Sequence, residues 1–356
     1  MSSNLETRNI FLDTECFDAG GFNYLSTPFR ILTSLAAKGE VHVYLTDITV
    51  REVQAHIMEA VAGSVRAHKI FAREARILRN SKSGGSAQVL MRPDGDALKV
   101  ELISQFQSFL KEAKATVLPT DKLPAGPVFD AYFQSKPPFG IGKKKDEFPD
   151  AFALAAVRNW CNENREEIYV ISNDGDLQSA CDEDGPLYSL PRLSDFLNVI
   201  ASDDEAQASF LHREIEQRKQ EIERVVARLF EHDLGFILED QDGDVVDVTV
   251  SDVLLDEVEI LETTSDHAAL EIEATITFDA ELSYVDQDNS IWDSEDETFI
   301  ITEYAKETVE REQSVRAEVS VSFKGLDPDS FEIGNVSIAN SKESILVQSS
   351  ASEAWP

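Results

Sequence analysis

The spacing of apolar residues changes once along this chain, near residue 240, and this change constrains the fold more than any other feature of the sequence. Before it, short apolar runs alternate with longer helical patterns, which is typical of β/α units on a parallel sheet. The first, second and fourth runs are nearly all apolar, as expected for strands covered on both faces. The predicted strands are NIFLD (9–13), VHVYL (41–45), ATVLP (115–119), EIYVIS (167–172) and PLYSL (186–190).

The stretches between these runs have the residue spacing of helices. It predicts helices at about 26–38, 48–80, 95–114 and 149–164. Two segments are predicted as loops from their composition: SKSGGSAQ at 81–88, and 120–145, which contains LPAGP, SKPPFGIG and three consecutive lysines. Residues 1–200 are therefore expected to form a three-layer α/β domain around a central parallel sheet.

After residue 240 apolar residues alternate with mostly polar ones, as in a strand with one buried and one solvated face. The pattern is clearest in 270–284 and 315–323. It predicts a separate, mainly antiparallel β domain over 241–356. A helical pattern at about 202–232 is interpreted as a connector, within 201–240, and is alternatively a dimer seam.

Charge is distributed very unevenly between these parts. The chain of 356 residues has a formal net charge of -35, but residues 1–200 carry 22 Lys and Arg against 27 Asp and Glu, and residues 201–356 carry 10 against 40. The second half should repel a phosphate backbone, so any nucleic acid is expected to contact the first half. The acidic domain is better suited to self-association or to binding a protein regulator.

Other features of the sequence indicate the cellular compartment in which the protein is expected. No apolar run approaches the roughly 20 residues of a membrane span, and the first residues lack the order of a signal peptide. The three cysteines have neither disulfide-framework nor zinc-site spacing. These observations predict a cytoplasmic protein without a membrane partner.

Four acidic residues follow predicted strands or begin the next helices, where a parallel-sheet protein places its site. Asp13 ends the first strand, and Glu52 lies in a helix that Thr46 or Asp47 can cap. Asp150 opens a later helix, for which Asp146 is a candidate cap. Asp174 follows the fourth strand, and Asp176 comes two residues later.

Carboxylates that converge at one sheet edge repel one another, and a hard cation relieves this repulsion. Mg²⁺ or Mn²⁺ is the expected ion, and such ions support phosphodiester hydrolysis. Each acid also has a structural explanation: Asp174 can form an Asx turn and Asp150 can favour a helix N-terminus. Glu15 and Glu147 are interpreted as supporting or capping residues.

In order and spacing, these motifs resemble the PIN domain, the fold of many metal-dependent ribonucleases. The phrases KDEFPDAFAL and ISNDGDL are similar to those of a bacterial branch of PIN-like proteins, and the resemblance covers roughly residues 8–198. It implies that Asp13, Glu52, Asp150 and Asp174 bind the metal, with Asp176 as a fifth acid, and that the substrate is nucleic acid, most often RNA. Family members usually have a shorter region between Glu52 and Asp150.

Two sets of basic residues are candidates for contact with nucleic acid. Arg66, Lys69, Arg73, Arg76 and Arg79 recur at three- and four-residue steps and form one stripe of a helix. A solvated helix face is the ordinary explanation of such a stripe. The second set, which precedes Asp150 closely, is Lys143, Lys144 and Lys145.

Two alternatives to an endoribonuclease remain open from the sequence. The Asp-x-Glu of FLDTE is similar to the opening motif of DEDD 3′-5′ exonucleases, but those also need a His or Tyr shortly before a final Asp, and no such histidine follows. The other alternative is a non-catalytic PIN-like binding module, although such a module would be expected to have lost one or more of the acids.

Overall fold

The computed structural model of the protein describes residues 5–80, 88–139, 147–181, 185–202, 205–287, 289–293, 298–341 and 344–350. The chain divides into two compact units, Met1–Ile200 and Ala201–Pro356. In the described ranges, no helix combines the length and the apolar character that crossing a membrane requires.

Unit 1 contains the predicted parallel sheet. Its five strands lie in the order β3-β2-β1-β4-β5, and every pairing is parallel. All residues of β1 and β4 are buried, in agreement with their continuous apolar sequences. The strands are β1 Asn9–Leu12, β2 His42–Thr46, β3 Thr116–Leu118, β4 Ile168–Ile171 and β5 Leu187–Leu190.

Eight helices accompany this sheet in the described part of the chain. They are α1 Glu15–Asp18, α2 Thr27–Lys38, α3 Asp47–Glu74, α4 Gly95–Glu112, α5 Ala125–Gln134, α6 Phe148–Asn164, α7 Gly175–Ser179 and α8 Leu193–Ala201. The helix predicted over 48–80 ends as an α-helix at Glu74 and continues as a 3₁₀ helix over Ala75–Asn80.

Local sequence signals set the ends of several helices. Thr46 caps α3, as predicted, because its side chain accepts a hydrogen bond from the backbone N–H of Thr49. Gly39 ends α2 in the left-handed conformation, with φ of 79°. Helix α6 begins at Phe148, after Glu147, whereas Asp146, the candidate cap, lies outside the described residues.

The prediction of a loop over 120–145 is wrong for 125–134, which form α5. Pro127 lies in the first turn of α5, where the backbone nitrogen needs no partner within the helix, so proline does not prevent helix formation. Val128 packs with Phe139 and Ala151 in a small core of its own. Lys143, Lys144 and Lys145 lie outside the described residues, as do 81–87 of the other predicted loop.

Unit 2 begins with two helices and continues with strands. The single helix predicted over 202–232 is two helices, α9 Glu205–Gln217 and α10 Lys219–Asp233, which meet at Arg218. Arg218 donates a hydrogen bond of 2.7 Å to the buried carboxylate of Glu214, which also pairs with Arg213. This pairing fixes the junction between the two helices.

The strands of unit 2 form the predicted antiparallel sheet. Four of them lie in the order β12-β11-β8-β7, and the nineteen paired positions between β8 and β11 run without a register shift. A short sheet of β13 and β6 is parallel. The strands are β6 Gly235–Leu238, β7 Gly243–Thr263, β8 His267–Val285, β9 Ile291–Asp293, β10 Thr298–Ile301, β11 Tyr304–Lys324, β12 Asp327–Ile338 and β13 Ser344–Val347.

Helices α9 and α10 share the hydrophobic core of this sheet. Phe230 of α10 is fully buried, and its ring lies 5.0 Å from that of Phe278 on β8. Buried apolar residues on the inward face of β8 alternate along the strand with more exposed, mostly polar residues, as its sequence predicts. Residues that the sequence suggested as a connector therefore pack against the sheet of unit 2.

Candidate metal centre

The four acidic residues singled out in the sequence lie at the carboxyl ends of adjacent strands or in the helices that follow. Asp13 comes directly after β1, and its backbone N–H donates to the carbonyl of Ile171, the last residue of β4, at 3.2 Å. Glu52 is in the second turn of α3, and Asp150 is in the first turn of α6. Asp174 precedes α7.

Asp13 is the most buried of these acids, with 7% of its surface exposed. One carboxylate oxygen, Oδ2, accepts a hydrogen bond of 2.9 Å from the hydroxyl of Ser172. Burial, with the charges of Glu52 and Glu15, raises the pKa of Asp13 from 3.8 to about 6 against the opposing effect of hydrogen bonds from Ser172 and the Thr14 backbone. Asp13 is therefore held in place and is costly to ionise.

Asp150 has a strongly raised pKa. Burial first, and then the negative charges of Asp13, Glu52, Glu147 and Asp174, together raise its pKa from 3.8 to about 8. Three of the acids that the sequence grouped with Asp150 thus act on it electrostatically. Without a cation, Asp150 retains its proton at neutral pH.

Glu52 is fixed by a residue next to Asp13. Its Oε2 atom accepts a hydrogen bond of 3.1 Å from the hydroxyl of Thr14. Thr14 is itself buried and lies between the end of β1 and the start of α1. This bond connects α3 to the end of the central strand and brings Glu52 to the side of Asp13.

Asp174 has the turn geometry that its sequence also allowed. Its Oδ1 atom accepts hydrogen bonds from the backbone N–H groups of Asp176 and Leu177, at 2.7 and 3.1 Å, and so caps α7. Both Asp174 and Asp176 are exposed. The cap holds one oxygen of Asp174 and fixes the direction of its carboxylate at the rim of the site.

Sequence reasoning missed two hydroxyl residues that position these acids. Ser172 is buried, donates to Asp13 and accepts from the backbone N–H of Asp174 at 3.1 Å. The Thr14 hydroxyl likewise donates a hydrogen bond to the carboxylate of Glu52. The available signal was a Ser or Thr within two residues of an acid at a strand end, which becomes informative only once the strands are known to be neighbours.

The residues present suit a hard divalent cation. The converging groups are all carboxylates, which Mg²⁺ and Mn²⁺ prefer, and Oε2 of Glu15 is buried without a hydrogen-bond partner among the described residues. Within the same residues, no three His, Cys, Asp or Glu side chains already stand at the spacing of a closed metal cage. Mg²⁺ needs no such cage, because it usually keeps several waters and binds one or two carboxylates.

A comparison with known protein families assigns the segment that contains these acids. Residues 10–177 match the family model described as PIN domain. This segment is a PIN domain. No curated protein and no solved structure matches the chain.

The PIN domain has a nuclease-like fold, and its members are typically metal-dependent nucleases. The matched segment contains all five predicted acids, from Asp13 to Asp176, and strands β1 to β4 apart from Asn9, the first residue of β1. It ends well before unit 2, so the acidic β unit lies outside the family match.

The described basic residues predicted to contact nucleic acid are all exposed and lie on α3 or the 3₁₀ helix that follows it. They are Arg66, Lys69, Arg73, Arg76 and Arg79. They lie toward the end of α3 that is opposite to Glu52. The acids and this basic stripe are therefore separate parts of the PIN domain.

Proposed function

We propose that this protein is a metal-dependent endoribonuclease whose PIN domain binds Mg²⁺ or Mn²⁺ through Asp13, Glu52, Asp150 and Asp174. Asp176 is proposed as a fifth acid at the rim of the site. The observation that carries the proposal is the placement of these acids at adjacent strand ends and in the helices that follow, where burial first, and then the charges of the other three, raise the pKa of Asp150. Carboxylates that raise one another's pKa are stabilised together by a cation.

In the proposed mechanism a bound divalent ion supplies Lewis-acid stabilisation and lowers the pKa of the attacking water. The protein's own part is to hold the ligands. Ser172 fixes Asp13, Thr14 fixes Glu52, and the backbone of α7 fixes Asp174. Asp150 keeps its proton until a cation is bound and then releases it, so cation binding should become tighter as pH rises toward 8.

The exonuclease alternative is less well supported. Its final acid is expected within a helix that also carries a His or Tyr, whereas Asp174 caps a helix of five residues from outside it. The non-catalytic alternative is disfavoured by the presence of all four acids. The choice of RNA over DNA rests on the family resemblance, and both substrates therefore belong in the test.

Cleavage of labelled RNA and labelled DNA by the full chain, with Mg²⁺, Mn²⁺ or EDTA, tests the proposal. We expect RNA to be cut only with a metal, and Asp13→Asn to lower the rate at least about 100-fold, since ligand positioning alone accounts for about 10–100-fold at metal sites. Asp121→Asn is the matched control, because Asp121 is exposed and lies outside the proposed site.

A second measurement separates folding from chemistry. Mn²⁺ at 100 times its dissociation constant should add about 2.7 kcal/mol to the free energy of unfolding of the wild type, and much less to that of Asp13→Asn. If Mn²⁺ leaves the stability of the wild type unchanged, and the Asp13→Asn protein cuts RNA as fast as wild type, the proposal is wrong.

The acidic unit 2 is proposed to serve assembly or regulation, through self-association or a protein regulator. Its residues carry 10 Lys and Arg against 40 Asp and Glu, which makes it unsuited to a phosphate backbone. A cytoplasmic location is proposed with this function.

A further inference from the structure

Cationic side chains from two segments of the PIN domain converge on one concave surface. They come from the last turns of α3, from the 3₁₀ helix and from the segment before α4, and they surround a cavity of about 350 Å³. We call this surface the distal basic groove. Its cationic lining residues are Lys69, Arg73, Arg76, Arg79 and Arg92, and His68, Ala72 and Leu90 complete the lining.

The groove is a built feature with two walls. The Nε2–H group of His68 donates a hydrogen bond of 2.9 Å to the carbonyl of Val89, which attaches the segment before α4 to α3. Arg92 belongs to that segment and also lines a neighbouring cavity of about 480 Å³ with Arg66 and Lys99. A basic stripe on one helix would instead form a convex face open to solvent.

Few of the cationic side chains in the groove form an ion pair among the described residues, although Asp94 and Asp96 line the adjoining cavity with Arg92. Among the described residues, Lys69, Arg76 and Arg92 form no salt bridge, and Arg73 pairs only with its neighbour Glu74, at 3.3 Å. Both side chains of that pair are largely exposed, so the pair contributes little. Converging positive charges repel one another, and binding of an anionic partner would relieve this repulsion. A cluster of positive charge in a chain of net charge -35 is therefore a candidate binding surface for an anion.

The groove and the proposed metal centre lie toward opposite ends of α3. Arg66, beside the groove, and Arg73, within it, follow Glu52 by 14 and 21 residues along α3, and at about 20° of drift per seven residues they lie about 40° and 60° around the helix from Glu52. At 1.5 Å per residue, they lie about 21 and 32 Å from Glu52 along the helix axis. Glu59, which follows Glu52 by seven residues, is acidic, so contact with the phosphate backbone is expected beyond Glu59 along α3.

An exposed aromatic ring beside the groove indicates which form of nucleic acid it suits. Phe71 is 43% exposed, and its ring centroid lies 6.3 Å from that of His68. Aromatic rings beside cationic groups are typical of surfaces on which unpaired bases stack. Arginine, which predominates in the groove, binds phosphate through two parallel hydrogen bonds.

We propose that the distal basic groove binds the phosphate backbone of a single-stranded part of the substrate, about 24 to 32 Å along α3 from the proposed metal centre. This inference rests on the proposed function, because that function supplies the polynucleotide substrate. A span of about 32 Å corresponds to roughly nine stacked nucleotides at 3.4 Å each. The groove should therefore improve the binding of long substrates and have no effect on very short ones.

The groove is tested first by binding, in EDTA, of a fluorescent uridine oligonucleotide of about 20 nucleotides to the full chain. The triple variant Arg73→Gln, Arg76→Gln, Arg92→Gln should bind more weakly and with a shallower salt dependence. With a slope of about 0.7 per phosphate contact on a single strand, three lost contacts lower the slope by about 2. Between 50 and 200 mM salt the wild type should then lose about 18-fold more affinity than the variant.

The matched control removes three exposed cations of the PIN domain that lie outside the groove, through Arg30→Gln, Lys38→Gln and Arg165→Gln. The net charge of this protein equals that of the groove variant, and its salt slope should stay within about 0.5 of the wild-type slope. Equal losses in both triple variants would mean that net charge alone acts, and would overturn the proposal.

Cleavage then separates this inference from the proposed function. The groove variant should raise KM for the long oligonucleotide and leave kcat within about twofold, and it should match the wild type on an oligonucleotide of about six nucleotides. Salt-dependent binding through the groove without any cleavage would refute the proposed function alone. Cleavage together with a wild-type salt slope in the groove variant would refute the groove alone.

The single-strand assignment has its own variant. Phe71→Ala should weaken binding of the uridine oligonucleotide by about 5- to 160-fold, since one stacked base contributes about 1–3 kcal/mol. It should leave binding of an RNA duplex of about 16 base pairs unchanged. An equal loss for the duplex would overturn the assignment to single-stranded nucleic acid.

Discussion

Replacing Asp150 with asparagine should abolish most of the pH dependence of the stability of the cation-free PIN domain above pH 6. Burial and the charges of Asp13, Glu52 and other acids raise the pKa of Asp150 from 3.8 to about 8. Between these values the folded chain holds a proton that the unfolded chain has released. Raising the pH therefore lowers the free energy of unfolding, until pH passes about 8.

The magnitude follows from the two pKa values. One pH unit within this window costs up to about 1.4 kcal/mol for one group. From pH 6 to pH 8, with Asp150 half ionised at the upper end, the wild type should lose about 2 kcal/mol. Burial raises the pKa of Asp13 only to about 6, so this residue acts mainly below that interval.

The measurement is a urea titration in EDTA at pH 6, 7 and 8. Hydrogen exchange of peptides that cover β1 and β4 isolates the unfolding of unit 1 from that of unit 2. Asp150→Asn should give nearly constant stability across the three pH values. Asp121→Asn, an exposed aspartate with the same chemical change, should keep the wild-type slope.

Saturating Mg²⁺ should also remove the slope from the wild type, because a bound cation favours the ionised carboxylate. A wild type whose stability is constant from pH 6 to pH 8 in EDTA would refute the reasoning. So would an Asp150→Asn protein that keeps the wild-type slope, because the slope would then come from other groups.

Two further predictions concern the support of the site and the acidic unit. Ser172→Ala removes the hydrogen bond to Asp13 and should lower the free energy of unfolding by about 1–3 kcal/mol. It should also shift the acid limb of the pH profile of cleavage to higher pH, because this hydrogen bond lowers the pKa of Asp13. An unshifted limb would mean that Ser172 does not act on Asp13. Two copies of the chain that associate through unit 2 should bind each other more tightly as salt rises, because screening weakens the repulsion between their acidic surfaces. Light scattering from 50 to 500 mM salt measures this association. A dimer that dissociates as salt rises would contradict the prediction.

The sequence alone determined the five strands of unit 1 and the alternating pattern of β8 in unit 2. Continuous apolar runs specify β1 and β4, and alternating residues specify β8, because these periods decide which side chains can be buried. Since parallel strands end at one edge of a sheet, the same runs also predict where Asp13 and Asp174 lie. The cap at Thr46 is equally local.

Tertiary structure decided how distant segments meet. Ser172 binds Asp13 across 159 residues of sequence, and Arg92 completes a groove that begins on α3, so neither contact leaves a periodic signal. Helix α5 forms in a segment that its Gly and Pro content predicted to be a loop, because packing of Val128 outweighs local propensity. Burial and the approach of neighbouring carboxylates give Asp150 its raised pKa, and both exist only in the folded chain.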